Sequence, residues 1–182
     1  MLPETMYFES PGRDNTDMTL QIAKDYAEKE GVRSVVVAST TGYTAAKASE
    51  VFKDFSLTVV THVSSFREPN KQEFALDLRD RLEDEGVKVL TTAHAFSGVN
   101  KLAEKGSAGQ IIQDTLRMFC EGMKVAVEIT AMAADAGLVR TDEEVVSIAG
   151  TGRGADTALV VRPAISRRLF NMRIERILAK PV

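Results

Sequence analysis

The chain has 182 residues, 23 Lys and Arg against 26 Asp and Glu, a net charge of −3, and side chains that are 44% apolar and 27% charged. This is the make-up of one globular domain, 1–182, long enough to bury a sizeable core. The slightly acidic balance offers no basic field to nucleic acid, and 6% aromatic residues without tryptophan provide no platform for stacked bases. Cys120 is the lone cysteine, which excludes an intrachain disulfide and a cysteine metal cluster and fits a reducing, cytoplasmic compartment. No apolar run approaches the roughly 18 residues of a membrane span, and Met1–Met6 has no signal-peptide pattern.

Taken in order, Tyr7-Phe8-Glu9 is a short extended segment, followed by a turn at Ser10–Arg13. Asn15 or Thr16 caps a first helix that runs to Glu30, with Met18, Ile22, Ala23, Tyr26 and Ala27 on its inner face and Gly31 as its stop. Val35-Val36-Val37-Ala38 is a short, wholly apolar, β-branched run, the signature of a strand buried on both faces. Ser39, Thr40, Thr41, Gly42, Tyr43 and Thr44 form a hydroxyl-rich turn, and Ala45–Phe52 reads as a helix. A buried strand feeding a helix through such a turn suits a phosphate. The first N–H groups of the helix lack intrahelical partners, its dipole is positive there, and Gly42 allows close backbone approach. The competing reading is that Thr41 or Thr44 is an ordinary helix cap and nothing binds.

Leu57–Thr61 is a second strand, leading into His62, Ser64, Ser65, Phe66 and Arg67. A helix is expected over Lys71–Glu85 with Phe74, Leu78 and Leu82 inward, then a strand at Val87–Thr91 followed by His94, Ala95, Phe96, Ser97 and Gly98. Val99–Lys105 reads as a short helical piece and Gly106–Gly109 as a break. Gln110–Ala136 has one unbroken helical period, with Ile112, Leu116, Phe119, Met123 and Val127 on one face. Cys120 is expected to pack in the core rather than act as a nucleophile.

Val145–Ala149 is the next strand, Gly150-Thr151-Gly152-Arg153-Gly154-Ala155-Asp156 a second glycine loop, and Thr157–Val161 a strand returning antiparallel across it. Arg153 at the loop tip can grip a phosphate, and a tight hairpin with an exposed arginine is the competing reading. Met172–Leu178 reads as a last edge strand or a short helix.

The alternation of strands and helices describes a three-layer α/β domain with an open, mostly parallel sheet and an antiparallel strand near the C-terminus. Ligands of such sheets bind outside the carboxyl ends of the strands. The loops at those ends, 39–44, 62–67, 94–98 and 150–156, are all rich in Ser, Thr, Gly, His or Arg, which points to a small-molecule site. His62 and His94 are candidates for acid–base or hydrogen-bonding roles, with structural hydrogen bonding as the alternative. No metal site, catalytic acid pair or Ser-His-Asp order stands out.

Val35–Ala45, Ala126–Val139 and Ala149–Ala158 resemble the pyruvate kinase C-terminal domain, and the chain is most similar to free-standing archaeal and bacterial proteins built of that domain alone. In full-length pyruvate kinases the domain is regulatory. The resemblance implies that Ser39–Thr44 takes a phosphate, that Gly150–Asp156 closes over the same ligand, and that there is no kinase activity, because the catalytic barrel has no counterpart. The free-standing proteins look like binders of flavin mononucleotide. That would lay the phosphate on Ser39–Thr44 and turn the ring toward His62, Phe66, His94, Phe96, Ser97 and Gly98. The alternative is a regulatory or sensor module for a sugar phosphate or nucleotide. Homo-oligomerisation is also compatible with the resemblance.

Overall fold

In the computed structural model, which describes residues 4–98 and 106–182, a single seven-stranded sheet is covered by helices on both faces. The strands are β1 (Met6–Phe8), β2 (Ser34–Ala38), β3 (Ser56–Val60), β4 (Lys88–Leu90), β5 (Val145–Ala149), β6 (Thr157–Arg162) and β7 (Arg173–Pro181), in the order β1-β7-β6-β5-β2-β3-β4. The pairs β5–β2, β2–β3, β3–β4 and β1–β7 are parallel, whereas β6 runs against both β5 and β7. The expected mostly parallel sheet with an antiparallel strand near the C-terminus is therefore present.

The apolar alternation of the central strands explains the three layers. Val35 and Val37 of β2, Leu57 and Val59 of β3, Val146 and Ile148 of β5, and Ala158 and Val160 of β6 point to one face. There they bury Leu20, Ala23 and Ala27 of α1 (Thr16–Glu30), Ala45 and Ala48 of α2 (Tyr43–Val51), and Leu82 of α3 (Leu76–Asp84). The intervening Val36, Val60, Val145, Leu159 and Val161 point to the other face. That face packs on α5 (Glu121–Asp135), with α4 (Ala108–Arg117) beside it. Both faces of the central strands are dry, which is why they read as continuous β-branched runs.

The structure corrects three expectations. The predicted 110–136 helix is two helices: Cys120 is extended (φ 177°, ψ 167°), and its Sγ accepts the Met123 N–H at 3.3 Å to cap α5. Cys120 is thus a half-buried cap, and Phe119 is exposed rather than inward. The helix expected from Lys71 starts only at Leu76, because Gln72 ties the preceding loop down. Its side-chain oxygen accepts the Phe74 N–H and its amide donates to the His62 carbonyl, so Phe74 is buried from the loop. On α1, Thr19 and Leu20 are buried and Met18 is exposed, a shift of the inner face by about one residue. Of the two readings of Met172–Leu178 the strand is the one present: Arg173–Leu178 is the first part of β7, paired with β6 on one side, and β1 joins the other side only at Ala179–Pro181. The helical piece expected at 99–105 lies outside the described residues. Among those described, no helix is long and apolar enough to cross a membrane.

Candidate functional site

The carboxyl ends of β2, β3, β4 and β5 open into a cleft of about 650 Å³, within the range of small-molecule sites. Because α2 starts on one face of the sheet and α5 on the other, the cleft straddles the sheet top. It is walled by both layers.

One end is built by the loop after β2. Ser39, Thr40, Thr41, Tyr43 and Thr44 line it. Gly42 adopts φ 104°, a conformation costly for other residues, and turns the chain into α2. Neither Thr41 nor Thr44 caps the helix. Ser39 Oγ reaches forward to accept the Ala45 N–H at 3.2 Å, and no side chain caps at Gly42. The N–H groups of Tyr43 and Thr44 open the helix without intrahelical acceptors. The loop therefore carries unspent donors and the positive end of the α2 dipole. Arg13, which the sequence offered no reason to select, stacks its guanidinium 3.7 Å over the Tyr43 ring and lines the same end.

The glycine loop after β5 sits beside it. Gly150, Gly152, Arg153 and Gly154 line the cleft. Gly154 (φ 78°) lies so close to α1 that an added Cβ would fall 2.6 Å from the Arg13 Cα and 2.5 Å from Thr16 Oγ1. Thr16 Oγ1 in turn accepts the Ala155 N–H at 3.0 Å. Asp156 is fully buried and does not line the cleft. Its Oδ2 accepts the N–H groups of Gly12 (2.9 Å) and Thr151 (3.0 Å), and its Oδ1 accepts the Thr157 hydroxyl (2.8 Å). Asp156, Thr151 and the buried Ala155 thus shape the loop and fasten it to the start of α1 and the turn before it, and none of the three lines the cleft.

The other end is an aromatic corner. His62, Phe66 and His94 cluster with ring centroids 4.4 Å (His62–Phe66), 5.3 Å (His62–His94) and 5.8 Å (Phe66–His94) apart. His62 Nδ1 lies 3.0 Å from Glu73 Oε2, and Arg67 Nε holds the other oxygen of Glu73 at 3.1 Å. This histidine–carboxylate pair is absent from the sequence reading, since the Glu73 side chain returns to the cleft only through the 62–75 loop. It fixes one ring nitrogen of His62 and leaves the other for the cleft. His94 Nδ1 lies 3.3 Å from Ser97 Oγ, and the Gly98 N–H bonds back to the His94 carbonyl. Phe96 is buried beneath and lines the cleft with Ser97, whereas Gly98 does not reach it.

The remaining wall comes from α4 and α5: Gln110, Gln113 and Arg117 of the first, Glu121, Lys124, Val125, Glu128, Ile129 and Met132 of the second. Lys124 and Glu128 form an almost buried ion pair (3.1 Å), and Glu128 also accepts the Phe96 N–H at 3.0 Å. Glu121 bonds Arg117 at 2.6 Å, and this bond holds the guanidinium above its ordinary pKa. The periodic face read from the sequence includes neither Ile129 nor Met132, and periodicity has no signal for this charge chain. Among the described residues, no group of three or more His, Cys, Asp and Glu could hold a metal ion.

A sheet open at its carboxyl ends, with a hydroxyl loop, a glycine loop and one strand reversed beyond it, defines an α/β domain with its cleft at the switch between the two faces. The family described as pyruvate kinase, alpha/beta domain, matches residues 17–161, and the chain belongs to that family. The match takes in α1 through most of β6 and both loops of the charged end.

Proposed function

We propose that the cleft binds a phosphorylated small molecule with a planar ring, flavin mononucleotide in the first instance, and that the phosphate rests on Ser39–Thr44. The observation that carries the reading is the polarity of the cleft. Unspent helix N–H groups, hydroxyls, Arg13 and Arg153 gather at one end, while His62, Phe66 and His94 gather at the other. A phosphate gains from the first and a flat ring from the second. The residues fit the group on this count: the start of α2 offers N–H groups without intrahelical acceptors, and the ring corner offers π-faces and a histidine oriented by Glu73. A bound flavin supplies electron transfer. The chain's own part is to hold the phosphate, flank the ring with His62 and Phe66, and keep the Glu73-bonded nitrogen of His62 occupied so that the other meets the ligand.

The test is the absorbance of the concentrated protein and the mass of anything released on denaturation, followed by titration of Thr41→Val/Thr44→Val with flavin mononucleotide. Bands near roughly 370 and 450 nm in the bound state are expected. The double variant should fold and lose about tenfold or more in affinity, as expected for removing hydrogen bonds to a charged group. Unchanged affinity would remove the phosphate from this loop. A protein that ignores flavin but is stabilised by sugar phosphates or nucleotides would be a sensor of those ligands instead.

A further inference from the structure

Among the described residues, the cations that line the cleft are Arg13, Arg67, Arg117, Lys124 and Arg153. Three of them are neutralised within the cleft. Arg67 is held by Glu73 at 3.1 Å, Arg117 by Glu121 at 2.6 Å with Asp114 at 3.2 Å, and Lys124 by Glu128 at 3.1 Å with Glu121 at 3.6 Å. The carboxylates are spent on these pairs, so the described residues of the aromatic corner and of the α4–α5 wall carry no net positive charge. Arg13 and Arg153 differ. Arg13 stacks on Tyr43 and has no carboxylate partner among the described residues, and neither has Arg153. Gly154 abuts Arg13, so both arginines stand with the bare N–H groups of α2 at a single pole.

We infer that the cleft accepts ligands with one phosphate and discriminates against a second, and that Glu73 and Glu121 set this specificity by neutralising Arg67 and Arg117. A second phosphate at the far end would meet cations that already have partners, together with the carboxylates that hold them. It would lose its hydration for no net attraction. A neutral ring or polyol pays no such penalty there. This inference rests on the phosphate assignment proposed above, though not on the flavin.

The experiment is calorimetric titration at fixed ionic strength with glucose 6-phosphate and glucose 1,6-bisphosphate, with flavin mononucleotide as reference. It uses the native protein, Glu73→Gln, Glu121→Gln, and Glu143→Gln, whose carboxylate pairs with Arg140 away from the cleft. Melting temperatures confirm that each variant is folded. In the native protein the bisphosphate should bind no better than the monophosphate. Glu73→Gln frees Arg67, and Glu121→Gln leaves Arg117 with Asp114 alone, so bisphosphate affinity should rise about five- to tenfold relative to monophosphate affinity in each. Glu143→Gln should change neither. A bisphosphate that binds the native protein tenfold more tightly than the monophosphate would overturn the inference. So would variants that lift both ligands alike, since that is a general charge effect, or a bisphosphate that binds no variant while flavin mononucleotide binds them all. If neither flavin mononucleotide nor the monophosphate binds the native protein, the phosphate assignment itself falls and takes the inference with it.

Discussion

The two faces of the sheet are covered in different chemical styles. The α1–α2–α3 face is made of alanine, valine, leucine and phenylalanine: Leu20, Ala23, Ala45, Ala48 and Phe52 meet the odd-numbered valines of β2 with no charged group between them. The α5 face is also apolar over most of its length, through Ala126, Ile129 and Ala133. At the end nearest the cleft, however, it buries Lys124 and Glu128, and Ser147 Oγ donates to the Ala126 carbonyl at 3.0 Å. An ion pair so placed adds little net stability compared with well-packed apolar residues. Its presence only where the helix borders the cleft shows what that end is for: it keeps the wall polar and its charges balanced. The apolar face holds the fold together, and the mixed face also furnishes the site.

This contrast can be broken from either side. Phe52 is 1% exposed and meets Phe55 edge to face at 5.4 Å. Phe52→Ala should cost about 3–5 kcal/mol of unfolding free energy, the usual price of an emptied aromatic site. Chemical denaturation should report it as a fall in midpoint with the slope unchanged. Lys124→Met should cost about 3 kcal/mol for a different reason, since it strands the Glu128 carboxylate in a dry wall. The double change Lys124→Met/Glu128→Met should recover most of that loss, apart from the Phe96 N–H bond. A double variant no more stable than the single one would mean that the pair contributes to the fold and not only to the cleft.

The apolar face was the more legible in the sequence, for the same physical reason. Burial on both faces of β2, β3 and β5 leaves a run of valines that no solvent-facing strand tolerates, and glycines mark the C-terminal end of α1 and the β5–β6 turn. The loops at the strand ends followed from the topology, so Ser39–Thr44 and Gly150–Gly154 could be placed together before their distances were known. What stayed hidden depends on long-range return of the chain or on unusual capping. Arg13 reaches the cleft because the glycine loop is tied to the start of α1. Glu73 reaches His62 through an irregular loop that reads as helix by its periodicity. The α4–α5 break falls where the apolar period continues unbroken, because a thiol, and not Ser, Thr, Asp or Asn, caps the second helix. The Lys124–Glu128 pair looks like an ordinary exposed i,i+4 pair until the fold buries it.

The smallest expected effect is also the one with the opposite sign. Thr58, in the middle of β3, is 0% exposed, and its hydroxyl has no hydrogen-bond partner among the described residues. It alternates with Leu57 and Val59, so it points with Val36 and Val60 toward the α5 side. A buried hydroxyl without a partner carries its desolvation cost unrelieved, of order 1 kcal/mol or more. Thr58→Val keeps the β-branched shape and removes the hydroxyl. It should raise stability by about 1 kcal/mol, seen as a rise in Tm of a few degrees, and leave ligand affinity unchanged because Thr58 does not line the cleft. A loss of stability would mean that the mixed face satisfies this hydroxyl too, and that its polarity extends into the core beyond the wall it lends to the cleft.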